Sequence, residues 1–380
     1  ALGAITDGNG NSTNISGLSL VVTGSAGFGT AANAIETTIG SLAAVGGVGG
    51  VFVENTGALD VTTVGGVTGI ETTGGVSLTA TDIDLFEQID DGAGGRAASA
   101  SLVATTGGVH DEFAGTDIFA TLIFLSGATG VGVTGGSGAV NIDGTNVEGF
   151  GGIGGFLIDT DFAVATTLTI GGVSAASTGI SSTTGTINID NDNGAITVSE
   201  AVTASGGTIV MRAASPIDVN ANVVASGAIT LTADESAGAD NITVTATVAS
   251  TTAGVTLDAG DNIALNAGGL VSANTSVTLL AGITADSGDG GSITDGNGAT
   301  NNIAAASLSA TATGGIDIDV QIDTLTLASL TDGATAGTID INDNGGDLSV
   351  VSVTTTAAAD EVILTATGAL RDGNGAASNV

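Results

Sequence analysis

Cysteine, tryptophan, tyrosine and lysine are all missing from this 380-residue chain, and proline occurs once, at Pro216. Without cysteine there is no disulfide framework, thiolate zinc site or thiol nucleophile, and without lysine no Schiff-base chemistry. The only strongly basic side chains are Arg96, Arg212 and Arg371, set against 39 acids, for a formal charge of −36. A nucleic-acid binder needs a basic footprint for the phosphates, and an anionic membrane surface would repel such a chain. High charge also suggests disorder. Yet 42% of residues are hydrophobic and mean hydropathy is +0.48, with Val, Ile and Leu in short alternating runs. The chain can bury a core, thin and aliphatic. Its first residues show neither the charged nor the apolar region of a signal peptide, which suggests a removed leader or an internal piece of something longer. The 25 uncharged residues 118–142 are long enough for a membrane helix, but glycine-broken alternation fills their second half and no Arg or Lys flanks them.

What is present is repetition. One phrase occurs four times: ITDGNGNSTNI from Ile5, IDDGAGGRAAS from Ile89, ITDGNGATNNI from Ile293 and LRDGNGAASNV from Leu370. Three further phrases follow the first, second and third of these in the same order, ending in VFVENTGALDV from Val51, VGVTGGSGAVNI from Val131 and IDINDNGGDLSV from Ile339. This divides the chain into a first super-repeat copy at 1–88, a divergent Phe-rich second copy at 89–165 and regular coils at 166–292. A third copy occupies 293–369, and a further copy starts at 370–380.

Within the super-repeat, apolar–polar–apolar triplets recur at Leu168, Ile187, Ile209, Ile229, Val255, Val277, Leu308, Ile339 and Val362, at intervals of 19 to 31 residues. Alternation at period two marks half-buried strands, and the Gly, Asn, Asp and Ser between them are turn-formers. No amphipathic helix of ordinary length is visible. The expected fold is therefore an all-β parallel β-solenoid (β-helix) of irregular coils, about sixteen of them, making a rod of roughly 75 Å. Tandem antiparallel β-sandwich modules are the alternative. All nine Phe precede residue 163 and six lie between 113 and 162. They suggest a wider core or an excursion packed on the coils, or more sharply an aromatic contact with a neighbouring subunit.

ITDGNG followed by LSLVVTG, then AIETTIGSLAAV and VFVENTGALDV, resembles the repeat region of filamentous-haemagglutinin-like, two-partner-secretion adhesins. The resemblance is best over residues 1–85 and good over 293–380. It implies a right-handed β-helical stalk at the cell surface, in agreement with the solenoid reached from the residues. The secretion-recognition module of that family is not visible in this sequence.

Enzymatic chemistry finds little support. Asp159 with Asp161, or Asp111 with Glu112, could supply the carboxylate pair of a glycoside hydrolase, but sugar platforms of Trp or Tyr are absent and three dispersed Arg cannot line a uronate groove. His110, the one imidazole, is expected to be a turn residue beside Asp111 and Glu112. Acidic turns suggest weak calcium binding, at Asp190 and Asp192, at Asp286 and Asp289, and at Asp340, Asn342, Asp343 and Asp347. The run from Asp340 to Gly345 imitates the first half of an EF-hand loop, but Val351 stands where the closing Glu belongs. Turn chemistry alone also accounts for these residues. The sequons at Asn11, Asn14, Asn241 and Asn274 occur at near chance frequency, and uneven coil lengths argue against a Thr-x-Thr ice-binding array.

The expectation is a non-enzymatic shaft segment of an extracellular filament or giant surface adhesin. Calcium-dependent adhesive modules and a β-helical polysaccharide-active enzyme are the alternatives. The chain stops partway through a fresh copy of its opening phrase, Val380 matching Ile15, so the next coil is expected from more polypeptide or from a second copy head to tail. Surface glycans of a host or neighbouring cell are the other expected partner; nucleic acid and membrane insertion are not expected.

Overall fold

The computed structural model describes residues 3–24, 26–132, 138–162, 164–174, 179–214, 216–233, 240–283, 290–331, 337–357, 360–375 and 377–378. Among them the regular elements are all strands, with no helix, and so none that is long and apolar enough to cross a membrane. The strands stack in parallel as a β-solenoid of about 14 turns, which rules out tandem antiparallel sandwiches. One two-residue hairpin, Thr63–Val64 with Val67–Thr68, runs antiparallel. There are fewer turns than the sixteen expected because some coils are long: Ile263 pairs with Ile293, thirty residues on.

Two compact units are distinguishable, Ala1–Asp190 and Asn191–Val380. In the second, three columns of inward side chains run from coil to coil. One is Ile196, Ile217, Ile242, Ile263, Ile293, Ile316, Ile339 and Val362. Another is Val202, Val223, Val248, Val271, Ile303 and Val320. The third is Ile209, Ile229, Val255, Val277, Leu308 and Leu325. The sequence triplets from Ile209 to Leu308 thus belong together, whereas Ile339 and Val362 stack in a different column. The first unit repeats the plan, with Leu78 on Leu102 on Leu125, Leu59 on Ile83 on Val109, and Ile70 on Ile89 on Ile118. Alternation puts these side chains inside, where nearly all are fully buried; each contributes about 1.5–3 kcal/mol of transfer free energy.

Polar residues at strand ends also point inward and fasten the turns. Asn55 donates to the carbonyls of Ile39, Gly57 and Ala58 at 3.0 Å each, and its Oδ1 accepts from Ile39 N and Thr37 Oγ1 at 2.9 Å. Turns this tight need glycine in places. Gly152 has φ +49°, and a Cβ there would sit 1.9 Å from the carbonyl oxygen of Ala128.

The repeated phrase has a physical cause. In each copy the Asp carboxylate accepts the backbone N–H two residues on: Asp7 from Asn9, Asp91 from Ala93, Asp295 from Asn297 and Asp372 from Asn374, at 2.6–2.9 Å. Seven residues after the Asp, Asn14 and Asn302 donate back to Asp7 and Asp295, at 2.7 and 3.2 Å. Their Oδ1 atoms accept N–H groups of the following coil, from Glu36 at 2.8 Å and Asp319 at 3.0 Å. The phrase is a loop closed by its aspartate and clasped to the next coil by its asparagine. The second copy has Ala98 in place of that Asn, and Asp91 instead takes the Gly95 N–H at 2.8 Å.

The aromatic residues do not form a wider core. Phe28 and Phe156 are buried in it, Phe162 is buried beneath Arg96, 5.7 Å from its guanidinium carbon, and Phe86 and Phe150 are exposed. Phe52, Phe119 and Phe124 are half-buried at outward-facing strand positions, and Phe113 is half-buried in the segment between Gly108–Asp111 and Ile118–Gly127.

Leu257 is fully buried between Leu231 and Leu279. Leu257→Ala is expected to cost about 2–5 kcal/mol in denaturant unfolding; a loss under about 1 kcal/mol would contradict this packing.

Candidate functional site

Parallel register brings identical positions of successive coils side by side about 4.8 Å apart, so outward residues form ladders as the inward ones do. On the first unit, Asp60 in Leu59–Val61 pairs with Asp84 in Ile83–Leu85, which pairs with His110 in Gly108–Asp111. Asp82, two residues before Asp84, accepts the Gly108 N–H at 2.6 Å, and its Oδ1 lies 3.1 Å from His110 Nε2. One ligating atom from each of Asp82, Asp84 and His110 lies within 4.8 Å of the others, and all three residues are half-buried. Burial raises the Asp84 carboxyl pKa, with the charges of Asp82, Asp60 and Glu112 adding to it and His110 opposing it. Burial also raises that of Asp60.

His110 is therefore a strand residue, not the turn residue expected. Val109 and Asp111 both face inward, at 0% and 3% exposure, which places the imidazole between them on the outside. Asp82 and Asp84 were not singled out in the sequence. Their signal was the alternation Asp82-Ile83-Asp84-Leu85 in register with Leu59-Asp60-Val61 and Val109-His110-Asp111, legible only once the 24- and 26-residue offsets are known.

The positions suggested for calcium are distributed differently. Asp340 stacks on Asp317, and Asn342 donates to Asp319 at 2.9 Å. Burial raises the Asp317 carboxyl pKa, as do the neighbouring charges of Asp340, Asp295 and Asp319. Asp343 is fully buried and caps the turn, its Oδ1 accepting from Ile322 N and Gly345 N at 3.2 and 3.1 Å. Asp347 is exposed, and its pKa is lowered by the Ala369 N–H and then by its ion pair with Arg371. Asp190 is half-buried in Thr186–Asn191 and Asp192 is exposed. Asp286 and Asp289 lie outside the described residues.

The carboxylate pairs considered for hydrolysis also have structural partners. Asp161 accepts the Thr116 hydroxyl. Asp111 is buried, accepts the Phe113 N–H at 2.9 Å, and faces Asp117. Asp117 is fully buried; its Oδ2 accepts the Asn141 N–H at 2.8 Å. Burial pushes its pKa up to about 9, with the Asp111 carboxylate adding to the shift, so it is protonated at neutral pH.

No family model matches the chain, and comparisons with curated proteins and with solved structures return no significant match.

Asp117 gives a signed pH dependence. Its folded pKa lies above the ordinary 3.8, so its contribution is complete below about pH 4 and is lost as pH rises through about 9. The Asp111 carboxylate and the Asn141 N–H face it. Asp117→Asn is expected to flatten the fall in melting temperature between pH 5 and 9 and to raise it at pH 8. Superimposable melting curves across that range would show that the group is ionised in the fold.

Proposed function

We propose that this chain is a structural, non-enzymatic shaft segment of an extracellular filament or giant surface adhesin, with coils continuing end to end. The observation that carries this reading is the coil-on-coil stacking itself. Columns of aliphatic side chains and parallel ladders pass from one coil to the next within each unit, and each coil offers its neighbour the same edge. The last described strands, Glu361–Ala366 and Leu370–Asp372, have partners on one side only among the described residues, and Ile363 and Leu370 are exposed there. An unpaired strand edge is a template for further pairing.

Placement at the cell surface rests on the resemblance of the ITDGNG-type phrases to adhesin repeats, and fits an acidic exterior that keeps neighbouring shafts apart. Electron microscopy of native material, with the intact mass of the polypeptide, tests the proposal. Narrow threads of uniform width are expected, together with digestion on intact cells by a broad-specificity protease; trypsin has only three sites. Discrete short particles at every concentration, from a polypeptide spanning only these coils, would rule the shaft out.

A further inference from the structure

The chain holds one imidazole, and the register sets it against a row of carboxylates. Imidazole with two carboxylates is a donor set for divalent first-row transition ions, whereas calcium and magnesium take oxygen ligands. A tetrahedral site with bonds of 2.0–2.1 Å places its ligand atoms about 3.3 Å apart. His110 Nε2 and Asp82 Oδ1 are already 3.1 Å apart. The other separations do not exceed 4.8 Å, so an adjustment of at most about 1.5 Å, within the reach of a carboxylate rotation, closes the set. Asp84 and His110 sit opposite one another in a ladder, and Asp82 immediately precedes the strand of Asp84.

We propose that Asp82, Asp84 and His110 bind a divalent first-row transition ion, with Zn²⁺ as its representative. The two carboxylates balance the ion's charge, neutral imidazole supplies the nitrogen, and the remaining position takes water. The bound ion exchanges the hydrogen bond between Asp82 and His110 for two coordinate bonds, and relieves the repulsion among Asp60, Asp82, Asp84 and Glu112. It also pins the coil of Asp82 and Asp84 to the coil of His110. This inference is independent of the shaft reading.

Because His110 is unique, its ring resonances report on this site alone. Titrating the full chain with Zn²⁺ is expected to shift them to a plateau at one equivalent, and Co²⁺ to shift them paramagnetically. Zn²⁺ is also expected to raise the melting temperature, with excess Ca²⁺ unable to reverse the ring shifts. His110→Gln should abolish saturable binding, and Asp82→Asn and Asp84→Asn should each weaken it by more than the roughly 10-fold that loss of an orienting partner costs. Circular dichroism of these outward-facing variants checks that they fold. Ring resonances unmoved by Zn²⁺ would overturn the proposal. So would affinity unchanged in His110→Gln, which would indicate only diffuse attraction of cations to an acidic protein.

Discussion

Parallel register between successive coils is the constraint on which everything else in this protein depends. It places each residue beside its counterpart one coil away, and it acts on both faces of the strand at once. Inside, like on like is favourable: isoleucine on isoleucine and valine on valine fill a narrow core without aromatic bulk. Outside, the same rule sets aspartate on aspartate. A chain with 39 acids and three arginines cannot avoid repulsive ladders: burial first and then neighbouring acids raise the pKa values of Asp84 and Asp317.

The acids divide into two populations by their backbone surroundings. Loop aspartates such as Asp7 and Asp91 take N–H groups of their own turn, which lower their pKa values. Outward strand aspartates such as Asp84 and Asp317 meet side chains of the same sign instead. The first population holds the loops closed; the second stores unfavourable charge on the flat faces, where a cation or a proton relieves it. Asp117 belongs to neither: it precedes the strand Ile118–Gly127, and its carboxyl is carried wholly into the interior beside Asp111.

Much of the fold was legible because strand alternation is local. Triplets separated by Gly, Asn and Asp mark strands and corners without knowledge of their partners, and those from Ile209 to Leu308 fall in one column as their spacing suggests. Column membership is not local. The strand Ile316–Leu330 runs 15 residues with no glycine to mark where one column gives way to the next, and this hides the different placement of Ile339 and Val362. His110 reads as a turn residue for the same reason: Gly107-Gly108 before it and Asp111-Glu112 after it have turn composition. What decides its conformation is Ile83-Asp84-Leu85, a coil away in sequence. The fourfold phrase was plain as text, but its meaning lay in the N–H that each Asp accepts from two residues on and, in two copies, in the Asn seven residues later. Nothing near Asp117 in the sequence announces its burial.

Partners in the ladders lie one coil apart in sequence, between 17 residues for Ile303 with Val320 and 32 for Val271 with Ile303. A coil therefore has all it needs to form once its predecessor is in place, and no strand waits for a partner at the far end of its unit. Folding of this kind is growth from a finished edge rather than a search among distant pairings. A polypeptide that emerges from one end can acquire its structure in the order in which it appears, each completed coil serving as the template for the next.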